Sequence, residues 1–185
     1  ERIRDLVEDL NIVSKLEYDS QPMNIETIQV VPFARGIVAD YLNTGIDVQY
    51  DLEFFDTPTV QECAIQGDER LLRRAVRNLI DNAMRHNGEG CKIALSLDVE
   101  PSNMLALTVA DNGRGCDTSR IRALMAQAST PDASYDAHGL GLTLVSRISI
   151  MHGGYVSFAS EPKRGFTATM RIPIAMRQND PPQAK

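Results

Sequence analysis

The chain has 185 residues, of which 43% are hydrophobic and 24% charged, and its formal net charge is −6. These values are typical of a globular protein with one compact domain, and they argue against a protein that binds a nucleic-acid backbone, which would be basic. The three cysteines include no CxxC pair, which favours a reducing compartment and gives no indication of a zinc site, and no apolar run approaches the roughly 20 residues that span a bilayer.

The first segment is predicted to be a helix of the bundle or coiled-coil type, because Ile3, Leu6, Leu10 and Val13 recur three and four residues apart. Its pattern is helical from the first residue, so we expect the sequence to be part of a longer chain. The helix could pack on its own domain. We favour half of a helical hairpin whose partner lies upstream or on another subunit, because the apolar seam is narrow and residues 19–22 resemble a joint.

The rest of the chain mixes strand and helix patterns. Strands or short extended pieces are predicted at residues 27–31, 47–52, 63–66, 92–99, 105–110, 155–159 and 166–172. Helices are predicted to begin at Pro32 and after the N-cap Asp68, with a short helix at 119–126 and an apolar one at 140–151 that ends at Gly153-Gly154. This order predicts an α+β fold: a two-layer α/β sandwich with one mixed sheet and helices on one face.

The stretch RNLIDNAMRH, residues 77–86, places two asparagines inside a predicted helix, although Asn is a poor helix former. Asn78, Asn82 and Arg85 fall at i, i+4 and i+7 on one flank of its apolar stripe. An amide oxygen is a suitable ligand for Mg²⁺, which shares phosphate oxygens, and Arg85 could meet the phosphate charge. Two solvated asparagines on a surface helix would give the same pattern.

The second motif, DNGRG at residues 111–115, directly follows a predicted strand. The Asp111 carboxylate only accepts hydrogen bonds, so it can read an exocyclic amine such as that of adenine. Gly113 and Gly115 would let the backbone approach a flat ring. A hairpin turn is the alternative, since Asp-Asn-Gly is favourable turn chemistry, but a long polar segment follows instead of a strand.

The third motif, HGLGL at residues 138–142, opens the predicted apolar helix. Free backbone N–H groups and the helix dipole favour an anion at such a helix start. The motif matches neither the Walker loop nor the Rossmann spacing, and a flexible loop-to-helix junction would also explain it. Each motif is weak alone, but the three in this order together indicate a nucleotide site.

The combination resembles the catalytic half of sensor histidine kinases of two-component systems, whose Bergerat-type ATP-binding fold is shared with DNA gyrase, chaperone and mismatch-repair ATPases. NLIDNAMRH resembles the N box, DNGRG the G1 box, HGLGL the G2 box and GFTATMRIPI the final Gly-Thr-containing strand. DLVEDLNIVSKLE resembles the second helix of the dimerisation and phosphoacceptor hairpin. The resemblance implies three parts: residues 1–21 are the end of that hairpin, residues 22–177 are the ATP-binding catalytic domain, and residues 178–185 are a polar tail.

The resemblance implies ATP and Mg²⁺ as cofactors. Asn82 would coordinate Mg²⁺ with Asn78 in support, Asp111 would bind the adenine amine, and the backbone of residues 139–142 would wrap the phosphates. The implied ATP-binding residues are Asn78, Asn82, Arg85, His86, Asp111, Gly113, Gly115, Gly139, Leu140, Gly141, Leu142 and Thr167. No Phe occurs between Phe55 and Phe158, where the family carries its F box, and Ala137 stands where the G2 box often has its first Gly.

The resemblance also implies a protein-histidine kinase that transfers the ATP γ-phosphate to a His upstream of Glu1 and then to an Asp of a response regulator receiver domain. It implies a homodimer formed through the N-terminal helix, without contact to nucleic acid or membrane by this segment, in the cytoplasmic portion of a membrane-anchored sensor. Two alternatives remain: an ATPase or anti-sigma-type serine kinase on the same fold, and a degenerate nucleotide-binding regulatory module.

Overall fold

The structure is a computed structural model that describes residues 22–46, 49–129 and 140–177, and it gives only the backbone at 127–129, 140, 176 and 177. The predicted hairpin helix at residues 1–21 and the polar tail at 178–185 lie outside the described residues. No helix within the described ranges is long and apolar enough to cross a bilayer.

The described ranges contain eight strands and four α-helices. The strands are β1 (Glu26–Gln29), β2 (Asp51–Asp56), β3 (Cys63–Gly67), β4 (Lys92–Glu100), β5 (Met104–Asp111), β6 (Tyr155–Glu161), β7 (Gly165–Pro173) and β8 (Met176–Arg177). The helices are α1 (Val30–Leu42), α2 (Glu69–His86), α3 (Thr118–Ser129) and α4 (Leu140–Met151).

The main sheet has five strands in the order β2-β4-β5-β7-β6. Strands β2 and β4 are parallel, whereas the other neighbours are antiparallel, so the sheet is mixed as predicted. The prediction of one sheet is wrong, because β1, β3 and β8 form a separate three-stranded sheet. Its β1 and β3 pair with each other, Glu26 opposite Gly67 and Gln29 opposite Ala64, and neither pairs with the main sheet.

The core lies between one face of the main sheet and the helices. In β4 the side chains of Ile93, Leu95 and Leu97 are buried, whereas the intervening residues are partly exposed, as the two-residue period of a strand requires. Burial of each such side chain contributes roughly 1.5–3 kcal/mol to folding. Leu144 and Ile148 of α4 belong to the same core. This arrangement confirms the two-layer α+β architecture.

Several predicted boundaries differ from the structure. The strand expected at residues 47–52 lies further along, at Asp51–Asp56, because the amides of Gln49 and Tyr50 bond to the Ile46 carbonyl in a turn (both 2.9 Å). The first helix begins at Val30 rather than Pro32; proline is tolerated there because the first turn needs no intrahelical N–H donors. The short helix expected at residues 119–126 is longer, Thr118–Ser129.

The start of α2 is tied to the end of α4 through buried polar groups. Asp68 is the N-cap of α2, as predicted, and its Oδ1 accepts from the Leu71 amide at 3.1 Å. The Asp68 amide donates to Nε2 of His152 at 3.0 Å. Nε2 is therefore the acceptor of a neutral ring, so Nδ1 carries the proton that bonds to the Ile148 carbonyl at 2.7 Å. This link sets the relative position of the two helices that carry the Asn and Gly motifs.

Candidate nucleotide site

Helix α2 presents its asparagines beside a cavity because its apolar stripe fixes its rotation. The buried residues of the helix are Leu71, Leu72, Ala75, Val76, Leu79, Ile80 and Ala83. Asn78 and Asn82, on the flank of this stripe, are both partly buried, whereas Arg85 is exposed. Asn82 lines the cavity, whereas Asn78 and Arg85 do not.

The cavity has a volume of about 320 Å³, within the range of small-molecule sites. Its lining comes from α2, the end of β5, the segment that follows it, α3, α4 and β7. The described residues that line it are Asn82, His86, Asn87, Asp111, Arg114, Gly115, Cys116, Asp117, Arg120, Leu124, Leu142 and Phe166. The Asn helix and the DNGRG segment, more than 20 residues apart in sequence, thus share one concave site.

Asp111 is the last residue of β5 and one of the few buried carboxylates in the described chain, with 9% of its surface exposed. Its Oδ1 accepts from the Gly113 amide at 2.9 Å and from the Phe166 amide at 3.3 Å. Both bonds fall on the same oxygen and fix the carboxylate plane. Oδ2 is therefore the oxygen that can accept from a ligand in the cavity.

The DNGRG segment is held by a residue that the sequence interpretation missed. Asn87, directly after α2, donates from Nδ2 to the Ala83 carbonyl at 2.8 Å and accepts on Oδ1 from the Arg114 amide at 3.1 Å. A Cβ on Gly113 would lie 1.7 Å from the Asn87 Oδ1, so only glycine fits against this side chain. The Asn87-Gly88 pair at the end of α2 was the signal in the sequence, but such a pair is equally typical of an ordinary helix end.

The DNGRG segment ends at Gly115, whose backbone packs closely on β6 and β7. Its φ is +61°, and a Cβ there would lie 2.1 Å from the Glu161 carbonyl oxygen. Glycine is thus required at this position by both backbone conformation and packing. The next residue, Cys116, donates its amide to Ser160 Oγ at 2.9 Å, which joins the end of the motif to β6.

An apolar wall forms part of the cavity lining. It consists of Leu124 from α3, Leu142 from α4, Phe166 from β7 and the half-buried Cys116. Phe166 also packs on Phe158, with the ring centroids 5.8 Å apart. A planar apolar ring can lie against this wall while Asp111 reads its polar edge.

Positive charge lines the open side of the cavity. Arg114 and Arg120 are both exposed and line it, and an Arg114 Nη2 lies 3.3 Å from Nδ1 of His86. Loss of hydration, followed by the positive charges of Arg114, Arg85 and Arg120, lowers the pKa of His86 below its ordinary value, against a smaller opposing effect of Asp111. His86 is consequently neutral at physiological pH.

The predicted site residues do not all lie in the cavity lining. Asn82, His86, Asp111, Gly115 and Leu142 line it. Asn78, Arg85 and Gly113 are not among the lining residues, Gly141 lies against Asn78, and Leu140 begins α4. Gly139 is outside the described residues.

Thr167, another of the predicted ATP-binding residues, lies in β7. It pairs with Ala110 and Ala159 on the face of the main sheet opposite that of Phe166, and it does not line the cavity. Strand neighbours point to opposite faces, so Phe166 lines the cavity whereas Thr167 does not. The contact expected between Thr167 and the adenine stays a prediction.

The fold and this cavity define a nucleotide-binding domain of the ATPase class. The family described as histidine kinase-, DNA gyrase B-, and HSP90-like ATPases matches residues 67–176, more than half of the chain. The chain belongs to this family. Its ATP-binding domain is of the histidine kinase type, as the resemblance of the three motifs predicted.

Relatives of the chain are sensor kinases. It is 30% identical over 174 residues to the sensor histidine kinase YvrG of Bacillus subtilis (strain 168), which covers 92% of this chain and 29% of YvrG. It is 31% identical over 179 residues to the probable sensor histidine kinase TcrY of Mycobacterium tuberculosis, covering 94% and 36% of the two chains. The chain therefore spans about a third of the length of these relatives.

Solved structures share the fold. Full-length ShkA in complex with AMPPNP has a TM-score of 0.78 and 20% identity, covering 95% of this chain and 36% of ShkA. The catalytic domain of histidine kinase ThkA has a TM-score of 0.67 and 18% identity, and the match covers 82% of this chain and 96% of the ThkA chain. The described chain thus corresponds to nearly the whole of a kinase catalytic domain in its fold.

Proposed function

We propose that this domain binds Mg-ATP and is the catalytic domain of a sensor histidine kinase, transferring the γ-phosphate to a His outside residues 1–185 and thence to an Asp of a response regulator receiver domain. The observation that carries the proposal is that Asp111, Asn82 and the apolar wall line one cavity. A purine nucleotide and its metal require a buried carboxylate for the base, an amide oxygen for the metal and an apolar wall for the ring.

The base end is assigned to Asp111. Its Oδ1 is occupied by two backbone amides, so Oδ2 accepts from the exocyclic amine of adenine. Leu124, Leu142 and Phe166 exclude water from the faces of the ring. Because a carboxylate cannot donate, guanine, with a carbonyl at the corresponding position, is disfavoured.

The phosphate end is assigned to the asparagine flank of α2 and the start of α4. Asn82 lines the cavity and offers an amide oxygen to Mg²⁺. Asn78 Nδ2 is buried without a hydrogen-bond partner among the described residues, which costs about 1–3 kcal/mol unless a bound group supplies an acceptor. When bound, Mg²⁺ neutralises part of the phosphate charge. Arg85 and the backbone amides of residues 139–142 complete this end.

Phosphoryl transfer to a protein fits this site better than ATP hydrolysis. A hydrolase needs a general base to orient and deprotonate water, and the relevant position beside the phosphate end is occupied by Asn78. A side-chain amide cannot act as such a base. The role of the domain is then to hold the nucleotide, with the nucleophile supplied by another segment.

The described histidines are poor candidates for the phosphoacceptor. Both ring nitrogens of His152 are engaged in hydrogen bonds and the residue is 8% exposed. Nδ1 of His86 is engaged by Arg114 within the nucleotide cavity itself. From the resemblance of residues 1–21 to the second helix of a dimerisation hairpin, we place the acceptor on a helix upstream of Glu1, in a homodimeric hairpin to which residues 1–21 contribute, in the cytoplasmic portion of a membrane-anchored sensor.

The metal role is tested with Asn82→Ala. Calorimetric titration with ATP is expected to show a large loss of affinity with Mg²⁺ present and little change in EDTA. Asn43→Ala is the matched control, because Asn43 is an exposed residue at the end of α1 that does not line the cavity. Equal losses under both conditions would exclude Asn82 as a metal ligand.

The kinase role is tested by phosphate labelling. Residues 1–185 incubated with Mg-ATP are expected to bind nucleotide yet incorporate no acid-labile phosphate. A longer chain that includes the upstream helix is expected to become labelled, because the hairpin then brings an imidazole to the γ-phosphate. Phosphohistidine on residues 1–185 alone would show that the acceptor is misplaced, and an unlabelled longer chain that binds ATP normally would refute the kinase proposal.

A further inference from the structure

Arg114 and His86 are in direct contact on the cavity wall. Nη2 of Arg114 lies 3.3 Å from Nδ1 of His86, and both residues line the cavity. A guanidinium keeps all its protons in a protein and has no acceptor atom, so it must be the donor of this bond. Nδ1 must then be the acceptor, which places the single ring proton on Nε2.

The surrounding charges favour the same neutral form. Arg85 precedes His86 on α2, Arg114 belongs to the segment after β5, and Arg120 projects from α3, so positive charges approach the ring from three elements. Asp111, at the end of β5, is the carboxylate that acts in the opposite direction, and its effect is the smallest of these. A protonated imidazole would be repelled by all three guanidinium groups.

The backbone of Arg114 is itself anchored to the end of α2. Its amide donates to Oδ1 of Asn87, the residue after His86, and its carbonyl accepts from the Lys163 amide at 2.7 Å. The guanidinium therefore extends from a fixed point beside the imidazole that it contacts. This anchoring distinguishes the contact from a chance approach of two surface side chains.

We propose that Arg114 is a positioning residue for His86: its guanidinium donates to Nδ1 and holds the imidazole in the neutral Nε2–H form against the wall of the cavity. The cavity is thereby offered an uncharged ring with one N–H donor. A ligand that contacts this ring must place an acceptor or an apolar face there. The identity of that ligand as ATP rests on the proposed function, whereas the state of the ring does not.

The state of the ring is measured by NMR on ¹⁵N-histidine-labelled protein without nucleotide, with His86→Gln to assign the signal. Long-range ¹H–¹⁵N correlations are expected to show the Nε2–H form of His86. Arg114→Gln is expected to give a mixture of both forms and to raise the pKa of His86 by about 0.7 pH unit, the effect of removing a positive charge near 4 Å through water.

Two further variants serve as matched comparisons. Arg122→Gln removes the same charge from an exposed position on α3 that does not line the cavity, so wild-type behaviour is expected. Arg114→Lys retains a cationic donor and is expected to restore the Nε2–H form at least in part. An Nδ1–H ring in the wild type, or an Arg114→Gln spectrum that matches Arg122→Gln, would overturn the proposal.

A second measurement separates positioning from direct binding. Arg114→Gln is expected to weaken Mg-ATP binding two- to fivefold, the loss typical of one ordered contact at a partly exposed site. In a His86→Gln background the same change is expected to have no further effect, because Arg114 acts through His86. An equal loss in both backgrounds would show that Arg114 contacts the nucleotide itself. If the wild type binds no Mg-ATP, the proposed function fails while the NMR result stands.

Discussion

Gly113→Ala tests how the DNGRG segment is held against α2. The added Cβ would lie 1.7 Å from Oδ1 and 2.1 Å from Cγ of Asn87, so the Asn87 side chain must leave its place. Its bonds to the Ala83 carbonyl and the Arg114 amide, at 2.8 and 3.1 Å, would then be lost. At about 0.5–1.5 kcal/mol for each bond, the expected loss of unfolding free energy is about 1–3 kcal/mol.

Urea unfolding followed by circular dichroism measures this loss, and calorimetry with Mg-ATP measures the accompanying fall in affinity. Gly88→Ala is the matched control, because no atom lies within 4 Å of a Cβ at that position and its backbone is not left-handed. This control is expected to be neutral or slightly stabilising through its effect on the unfolded chain.

The double variant Asn87→Ala/Gly113→Ala locates the cause. With the Asn87 amide removed, the Cβ at position 113 meets none of the three atoms nearest to it, so its added cost over Asn87→Ala is expected to fall below about 0.5 kcal/mol. A stable Gly113→Ala with unchanged nucleotide affinity would refute the reasoning. So would a full cost that persists in the Asn87→Ala background.

Two other predictions concern buried polar groups. Asp111→Asn keeps an oxygen that can accept from the amides of Gly113 and Phe166 but loses the negative charge, so the fold should survive. The free energy of ATP binding should weaken by about 1.5–3 kcal/mol, and the preference for ATP over GTP should decrease. Unchanged calorimetric titrations with both nucleotides would count against Asp111 as the residue that recognises the base. Burial lowers the pKa of His152, so below about pH 6.5 the unfolded chain binds a proton that the folded protein resists. The free energy of unfolding should therefore fall as the pH decreases below about 6.5, by up to about 1.4 kcal/mol per pH unit. Urea unfolding of His152→Gln at several pH values should show a weaker dependence of this free energy on pH. An equal dependence in the variant and the wild type would exclude His152 as its cause.

Several features of the fold could be predicted from the sequence because their causes are local. Helix α4 agrees with the predicted residues 140–151 at both ends, since an apolar run is stopped there by Gly153-Gly154. Asp68 is the N-cap of α2 because its side chain reaches an amide three residues on. Asp111 follows a strand whose two-residue period was visible in the sequence. These features depend on neighbours within one or two turns of chain.

The composition of the site was determined in part by sequence and in part by long-range packing. The Asn82 flank and the DNGRG turn were identifiable because each has a chemistry unusual for its local structure. That they share a cavity depends on the packing of α2 beside β5. The apolar wall could not be assigned, because Leu124 and Phe166 look like ordinary core residues in their own segments.

The tertiary structure alone decided the contacts between residues far apart in sequence. Asn87 against Gly113 and His86 against Arg114 join segments separated by more than 20 residues, and no local pattern specifies which side chains meet. Strand register has the same character: successive side chains point to opposite faces, so Phe166 lines the cavity whereas its neighbour Thr167 does not. Pairing energies across the sheet, which involve whole strands, determine that register.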